Sequence, residues 1–332
     1  AAGCDLLILK VADFLPDLRL EEQGFPLGQA RQAVVVFHHF GLDQIALPFH
    51  FQRHPGGRTQ RTNIAHFGGV VIIRASMYFE LVKFFGQPYS AGNANVNLGV
   101  PLVLTPTRVV DEGSFVSRST VEEVYQQILN DLVRAESLLP STNGFFARNY
   151  VVAAQLSRVY LQLGRYAEAR DAADRAIAVA TANGKAILPD YMSAFNTDAD
   201  SPEDIFAIQV NTQDPTNEMF LYYSLPEFGA RGGDVAILDS HLENYEADDE
   251  RLDQFFLSAG EFRTAKWRDQ FKNVKVIRLA ELYLTRAEAN FRAGTTVGAT
   301  PLEDLNRIRT RVGLGPLTDV TLDAILKERK LE

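Results

Sequence analysis

The sequence predicts a mainly α-helical protein made of antiparallel helical hairpins, with an irregular insertion of loops and short strands at about residues 185–270. Three observations predict it. Residues 148–179 carry two apolar stripes at helical spacing on either side of a glycine. Segments at about 64–140 and 274–312 repeat that build around the central pair at 147–184, and the stretch from 185 to 270 does not. A single pair cannot bury its own stripe, so the pairs are expected to stack on one another.

In the first pair, Ile72, Ala75, Phe79 and Val82 form a stripe that ends at Gly86. After a long loop a helix is expected to begin near Ser119, where Ser119-x-x-Glu122 has the form of a capping box, and to stop at Pro140. Its buried face is Val124, Ile128, Leu132, Ala135 and Leu139. In the second pair, Leu156, Val159, Tyr160 and Leu163 follow the i, i+3, i+4, i+7 spacing, and Ala169, Ala173, Ala176 and Ala180 line the next helix with small side chains that allow close approach. Gly164 supplies the backbone freedom needed at the turn. The Gly-x-Tyr-x-x-Ala turn matches the second half of the tetratricopeptide signature, although an ordinary helical hairpin can carry such a turn too. A strand is expected at Glu203–Ile208. In the third pair, a helix is expected from Val276 to Gly294, and Thr300-Pro301-Leu302-Glu303 then supplies an N-cap, a proline at the first helical position and a returning glutamate. Leu302, Leu305, Ile308 and Val312 face inward there. The second and third pairs flank the insertion and are expected to pack together, which makes 1–332 one domain of unequal, TPR-like repeats.

Acidic residues outnumber basic ones, 42 to 33, with no long basic run, which argues against a nucleic-acid partner. An apolar fraction of 46% argues against wholesale disorder, and no run approaches the ~18 apolar residues of a membrane helix. The single cysteine, Cys4, rules out an intrachain disulfide, and Ala1-Ala2-Gly3-Cys4 looks like the end of a bacterial lipoprotein signal.

Metal and catalytic motifs are weak. His38-His39 and the His50, His54 pair invite a metal reading, but no carboxylate lies between the latter two and Pro55-Gly56-Gly57 follows at once. Residues 196–200, Asn-Thr-Asp-Ala-Asp, alternate oxygen ligands like a calcium loop, yet Ser201 stands where glycine is needed and Ala207 where a closing glutamate is needed, so a polar turn is expected. Asp248, Asp249, Glu250 and Asp253 read as a solvated loop or helix end. No phosphate-cradling, serine-nucleophile or Cys-His motif is present, so neither a cofactor nor catalysis is expected.

Several segments, taken in order, resemble the SusD/RagB family of outer-membrane nutrient-binding lipoproteins. They are the helix 74–86 ending in Phe85-Gly86, then Gly99-Val100-Pro101-Leu102-Val103 and 118–125, then Arg158-Val159-Tyr160-Leu161. Residues 203–208, Arg231-Gly232-Gly233, the run 276–289, Leu305-Asn306-x-Ile308-Arg309-x-Arg311 and 325–332 follow. The likeness covers roughly 64–332, while residues 5–63 show little of it, and relatives usually continue beyond the residue matching Glu332. The resemblance implies a SusD-like fold and a non-enzymatic receptor on the outer membrane, surface-exposed and held only by lipid on Cys4. It also implies an oligosaccharide or other nutrient as ligand and a SusC-type TonB-dependent transporter as partner.

Glycan recognition needs flat apolar surfaces for sugar C–H faces and polar groups to bracket hydroxyls. The 87–97 loop, with Tyr89, Asn93, Asn95 and Asn97, is one candidate; Tyr222, Tyr223, Phe228, Arg231 and Trp267 in the insertion are the other. Each aromatic could equally pack in the core, and asparagine-rich loops are ordinary turn chemistry. A reading from a different class is a structural protein that uses its repeat faces for assembly or self-association into polymers.

Overall fold

The computed structural model describes residues 57–332, with side chains from Ile64 onward. Cys4, His38, His39, His50 and His54, and with them the lipid-anchor expectation, lie outside the described residues. The described residues fall into two units, 103–117 and 57–102 with 118–332. In the first, a short 3-10 turn at Glu112–Ser114 is closed by a 3.0 Å backbone bond from Ser114 to Asp111.

The second unit holds the expected helical pairs. Helix α1 (Gly57–Phe85) packs on α2 (Val121–Leu138), α3 (Asn149–Gln162) on α4 (Tyr166–Ala182), and α7 (Leu279–Ala293) on α8 (Pro301–Arg311). Helix α2 also packs on α3, α4 on α7, and α9 (Leu322–Leu331) on α7, so the pairs stack in chain order. Because α3 and α7 have neighbours on several sides, they are buried almost all round, over Tyr150–Ser157 and Leu279–Asn290. The α4 alanines 169, 172, 173, 176 and 180 are fully buried, which is the close approach their size permits. Gly164 has φ +70°, a left-handed turn that a Cβ would strain.

Charged forks tie helices together within a pair and between pairs. Arg74 reaches Asp131 through two 2.7 Å bonds between α1 and α2. Arg158 of α3 forks onto Glu281 of α7 at 2.5 Å on both arms. Two segments that carried the family resemblance are thus joined across the stack.

Three expectations need correction. Residues 64–85 of α1 are long and apolar enough by composition to cross a membrane, despite the absence of a long unbroken apolar run. Arg74 is committed to Asp131, and Val71, Ile72, Ala75, Tyr78, Phe79 and Val82 are buried, so one face of this stretch packs into the core of its unit. The cap of α2 is Thr120 with Glu123, one residue later than Ser119 with Glu122. Ser119 is unavailable because its backbone pairs with Gly99 and Val100. Its replacement by alanine is expected to change stability by less than about 0.5 kcal/mol, whereas Thr120→Ala should cost about 1 kcal/mol in urea unfolding.

The helix expected from Val276 begins three residues later. Val276, Ile277 and Arg278 belong instead to strand β4 (Val274–Arg278), which pairs antiparallel with β1 (Asp204–Ile208). The β-branched residues suit a strand, and a backbone partner far away in sequence decides the matter. Between these strands the insertion carries α5 (Glu218–Tyr223), α6 (Asp239–Leu242) and the hairpin of β2 (Phe255–Ser258) and β3 (Glu261–Thr264). Nine α-helices and two small two-stranded sheets among the described residues give the mainly α architecture the sequence predicts.

Candidate functional site

Strand β3 ends in a one-turn 3-10 segment, Ala265–Trp267, started by the Thr264 hydroxyl, which accepts from the Lys266 backbone N–H at 3.2 Å. Asn196 fixes this turn from outside. Its amide donates to Ala265 O at 2.8 Å, and its Oδ1 accepts from the backbone N–H groups of Arg268 and Asp269 at 2.9 and 3.3 Å. The apparent calcium-loop side chains have other uses. Thr197 and Asp198 accept from Lys275 and Lys272, and Asp200 accepts from Gln209 and Asn273. Those oxygens hold the insertion onto β4.

Trp267, half-buried, stands on the wall of a cleft of about 310 Å³. Phe195 and Leu284 supply further apolar lining, and Lys266, Lys275, Arg278, Arg329, Glu281 and Glu332 supply charge. A hollow of about 10 Å³ against the same turn, room for one water, is also lined by Asn196 and Asn217.

The wall is backed by buried charge. Glu203, fully buried, accepts from Arg278 at 2.7 Å and Arg311 at 3.0 Å. Glu332 receives Arg278 at 2.9 Å and also Arg311. Burial raises the Glu332 carboxyl, but Arg278, Arg311 and Arg251 outweigh it and hold the group below the usual carboxylate range. The Arg278 and Lys266 cations also lie 5.2–5.6 Å from the rings of Tyr191 and 4.9–5.2 Å from Phe195, which meet edge to face. Burial, reinforced by Arg278, pushes the Lys266 ammonium down to about 7, with Glu332 opposing and Arg251 and Arg311 adding to the fall.

Of the nine residues named as candidates for ligand binding, Trp267 alone lines the cleft. Tyr222 and Tyr223 lie on α5, which packs against the Trp267 turn, and the Asn217 amide at its start donates to Gln270 O at 3.1 Å. Arg231, exposed, lies 5.6 Å from the Tyr222 ring and pairs with Asp234 at 3.3 Å. Tyr89, Asn93 and Asn95 form a separate group beside α2. The Tyr89 hydroxyl donates to Glu122 at 2.7 Å and its ring meets Tyr125 edge-on at 5.2 Å. Asn93 accepts from the Asn95 backbone N–H at 3.0 Å, and the Asn97 amide donates to Ala91 O, so this loop closes largely on itself.

Sequence reasoning passed over Lys266, Arg278, Glu281 and Arg329. The run Ala265-Lys266-Trp267-Arg268, a tryptophan between two cations, could have signalled the first. The others lie in segments read as helix faces, and only the fold brings them to one cleft.

Comparison with known proteins gives a consistent identification. A family model described as "Starch-binding associating with outer membrane" matches residues 53–161, and the SusD family model matches residues 244–332. A crystal structure of a putative sugar binding protein from Bacteroides vulgatus is 26% identical, with a TM-score of 0.79 over 92% of this chain and 70% of that one. A SusD superfamily protein from Bacteroides thetaiotaomicron is also 26% identical, at a TM-score of 0.73 over 90% of this chain and 70% of its own. A SusD-like carbohydrate binding protein from Bacteroides vulgatus, 22% identical, shares the fold at a TM-score of 0.69 over 82% of this chain and 61% of its own. No curated protein sequence matches the chain. With both family models placed in order and the fold shared with these structures over most of the chain, the chain belongs to the SusD/RagB family.

Proposed function

We propose that the protein is a non-enzymatic, cell-surface glycan-binding lipoprotein of the outer membrane, anchored through Cys4, which delivers its ligand to a SusC-type TonB-dependent transporter. The observation that carries the binding half is Trp267, a half-buried indole on the wall of a 310 Å³ cleft with charged groups around it. A flat aromatic face covers the C–H face of a sugar ring, while hydrogen-bonding groups beside it bracket hydroxyls. Family membership supports the rest of the reading. Tyr222, Tyr223 and Arg231, on elements next to the Trp267 turn, would extend the surface to further sugar units, and Tyr89, Asn93 and Asn95 would form a separate contact.

Two measurements test this. Isothermal titration against a panel of oligosaccharides should find at least one saturable ligand, and no ligand in the panel would count against glycan binding. Gentle detergent extraction from the native cells, followed by mass spectrometry, should recover a large TonB-dependent barrel in stoichiometric amount. Recovery as a homopolymer without a barrel would favour self-assembly instead.

A further inference from the structure

The cleft carries a charge imbalance that a neutral sugar does not use. Four cations, Lys266, Lys275, Arg278 and Arg329, line it against two carboxylates, Glu281 and Glu332. Both carboxylates are already committed, Glu281 to the Arg158 fork and Glu332 to Arg278 and Arg311. Three of the four cations are likewise matched: Lys275 with Asp204 at 2.6 Å, Arg278 with Glu203 at 2.7 Å, and Arg329 with Glu288 at 3.3 Å.

Lys266 differs. Among the described residues it forms no ion pair, and its ammonium rests instead on the Tyr191 and Phe195 rings at 5.2 and 4.9 Å. The rings and Glu332 only partly offset the burial of this cation near the Arg278, Arg251 and Arg311 guanidinium groups, and an incoming anion would stabilise it further. The tether is short as well: Lys266 and Trp267 are consecutive in one 3-10 turn, pinned by Thr264 and Asn196. Cation and stacking surface both line the same cleft from consecutive positions of that turn. The chain as a whole carries a formal charge of −9, so this is a local excess of positive charge on an acidic protein, and it acts over the roughly 8–10 Å that salt leaves unscreened.

We propose that the cleft selects an anionic sugar residue, a uronate or a sulfated unit, with its negative group on the Lys266 ammonium and its ring against Trp267. This rests on the glycan-binding reading above and names the chemical class of ligand within it. The free ammonium titrates at about 7, below an ordinary lysine, chiefly through burial and Arg278. The ligand binds the protonated form. Affinity for an anionic sugar is therefore highest below that pH and falls by up to about tenfold per unit above it, until the raised value in the complex is reached. Against burial, Arg278 and Arg251 are held above the ordinary arginine value by their carboxylate partners, and Glu332 is held below the carboxylate range. Burial, with Lys330 and Lys266, pushes the nearby His241 imidazole below its usual value, so the slope is assigned to Lys266.

The test is calorimetry with the full chain on trigalacturonate, its fully methyl-esterified and hence neutral counterpart, and a sulfated carrageenan tetrasaccharide that has no carboxylate. At least one anionic probe is expected to bind roughly tenfold more tightly than the neutral ester. Lys266→Met keeps the apolar stem over Tyr191 and Phe195, and it should bring that probe down to the level of the ester and abolish the pH slope. A preference for the carboxylate or for the sulfate probe distinguishes the two sources of charge, and either supports the proposal. Equal binding of all three, unchanged in Lys266→Met, overturns it while leaving glycan binding intact. No binding of any probe, with a neutral oligosaccharide bound elsewhere in a panel, also overturns it. Thermal unfolding of Lys266→Met accompanies the titration, and Lys266→Gln serves as the second variant if the first fails to fold.

Discussion

Gly298→Ala is expected to destabilise the protein by about 2 kcal/mol, since the change adds backbone strain and displaces a partly exposed charge pair. Gly298 lies between α7 and α8 at φ +76°, where a side chain is strained by about 1 kcal/mol on backbone grounds alone. The rest of the cost comes from what surrounds it. A Cβ there would run into the Asp174 carboxylate and the Arg286 guanidinium, with Asp174 Cγ only 2.9 Å away. Arg286 of α7 meets Asp174 of α4 at 2.6 Å and forks onto Asp304 of α8 at 2.8 Å on both arms, so three helices from two pairs converge on one cation. Asp174 is partly exposed and Asp304 is buried, so Asp174→Ala alone should cost about 1 kcal/mol. The double variant Gly298→Ala, Asp174→Ala should then be more stable than the two single costs predict, because the vacated space accepts the new methyl. Strict additivity in urea unfolding would mean that the collision is relieved in some other way.

Trp267→Ala is expected to lower glycan affinity by roughly tenfold to a hundredfold while leaving the fold in place, in line with the loss of an aromatic anchor from a binding surface. Trp267 is only partly buried and lines the cleft, so truncation removes less packing than a core substitution would. The turn that carries it is held through Thr264 and Asn196, which the variant keeps. The calorimetric comparison is with Tyr89→Ala. The Tyr89 hydroxyl is engaged by Glu122 and its ring by Tyr125, so that variant is expected to lose stability first. Unchanged affinity in Trp267→Ala would move the ligand out of this cleft.

These residues show which part of the molecule was legible in the sequence. Helical stripes such as Leu156, Val159, Tyr160 and Leu163 depend on local period alone, and the Thr300-Pro301-Leu302-Glu303 cap depends on four adjacent residues; the structure forms both. The boundaries that moved, at Ser119 and Val276, are those where a backbone partner far along the chain claims the residue: Gly99 and Val100 in one case, β1 in the other. Nothing local distinguishes such a residue from the start of a helix. The candidate site divides in the same way. A lone tryptophan in an insertion is visible as a platform, but Lys266 acquires its meaning only when Tyr191, Phe195 and Arg278 fold around it. The family order of motifs was readable because it marks contacts that hold the repeats together, such as Arg158 with Glu281, and those contacts do not identify the ligand.

Trp267 is the only tryptophan in the chain, so selectively excited indole emission reports on the cleft alone. Titrating a calorimetrically confirmed oligosaccharide while following that emission tests the central claim directly. A saturable change in emission with the same dissociation constant as the heat is the expected result. Heat of binding with no change in the tryptophan signal would show that the glycan is bound away from the cleft.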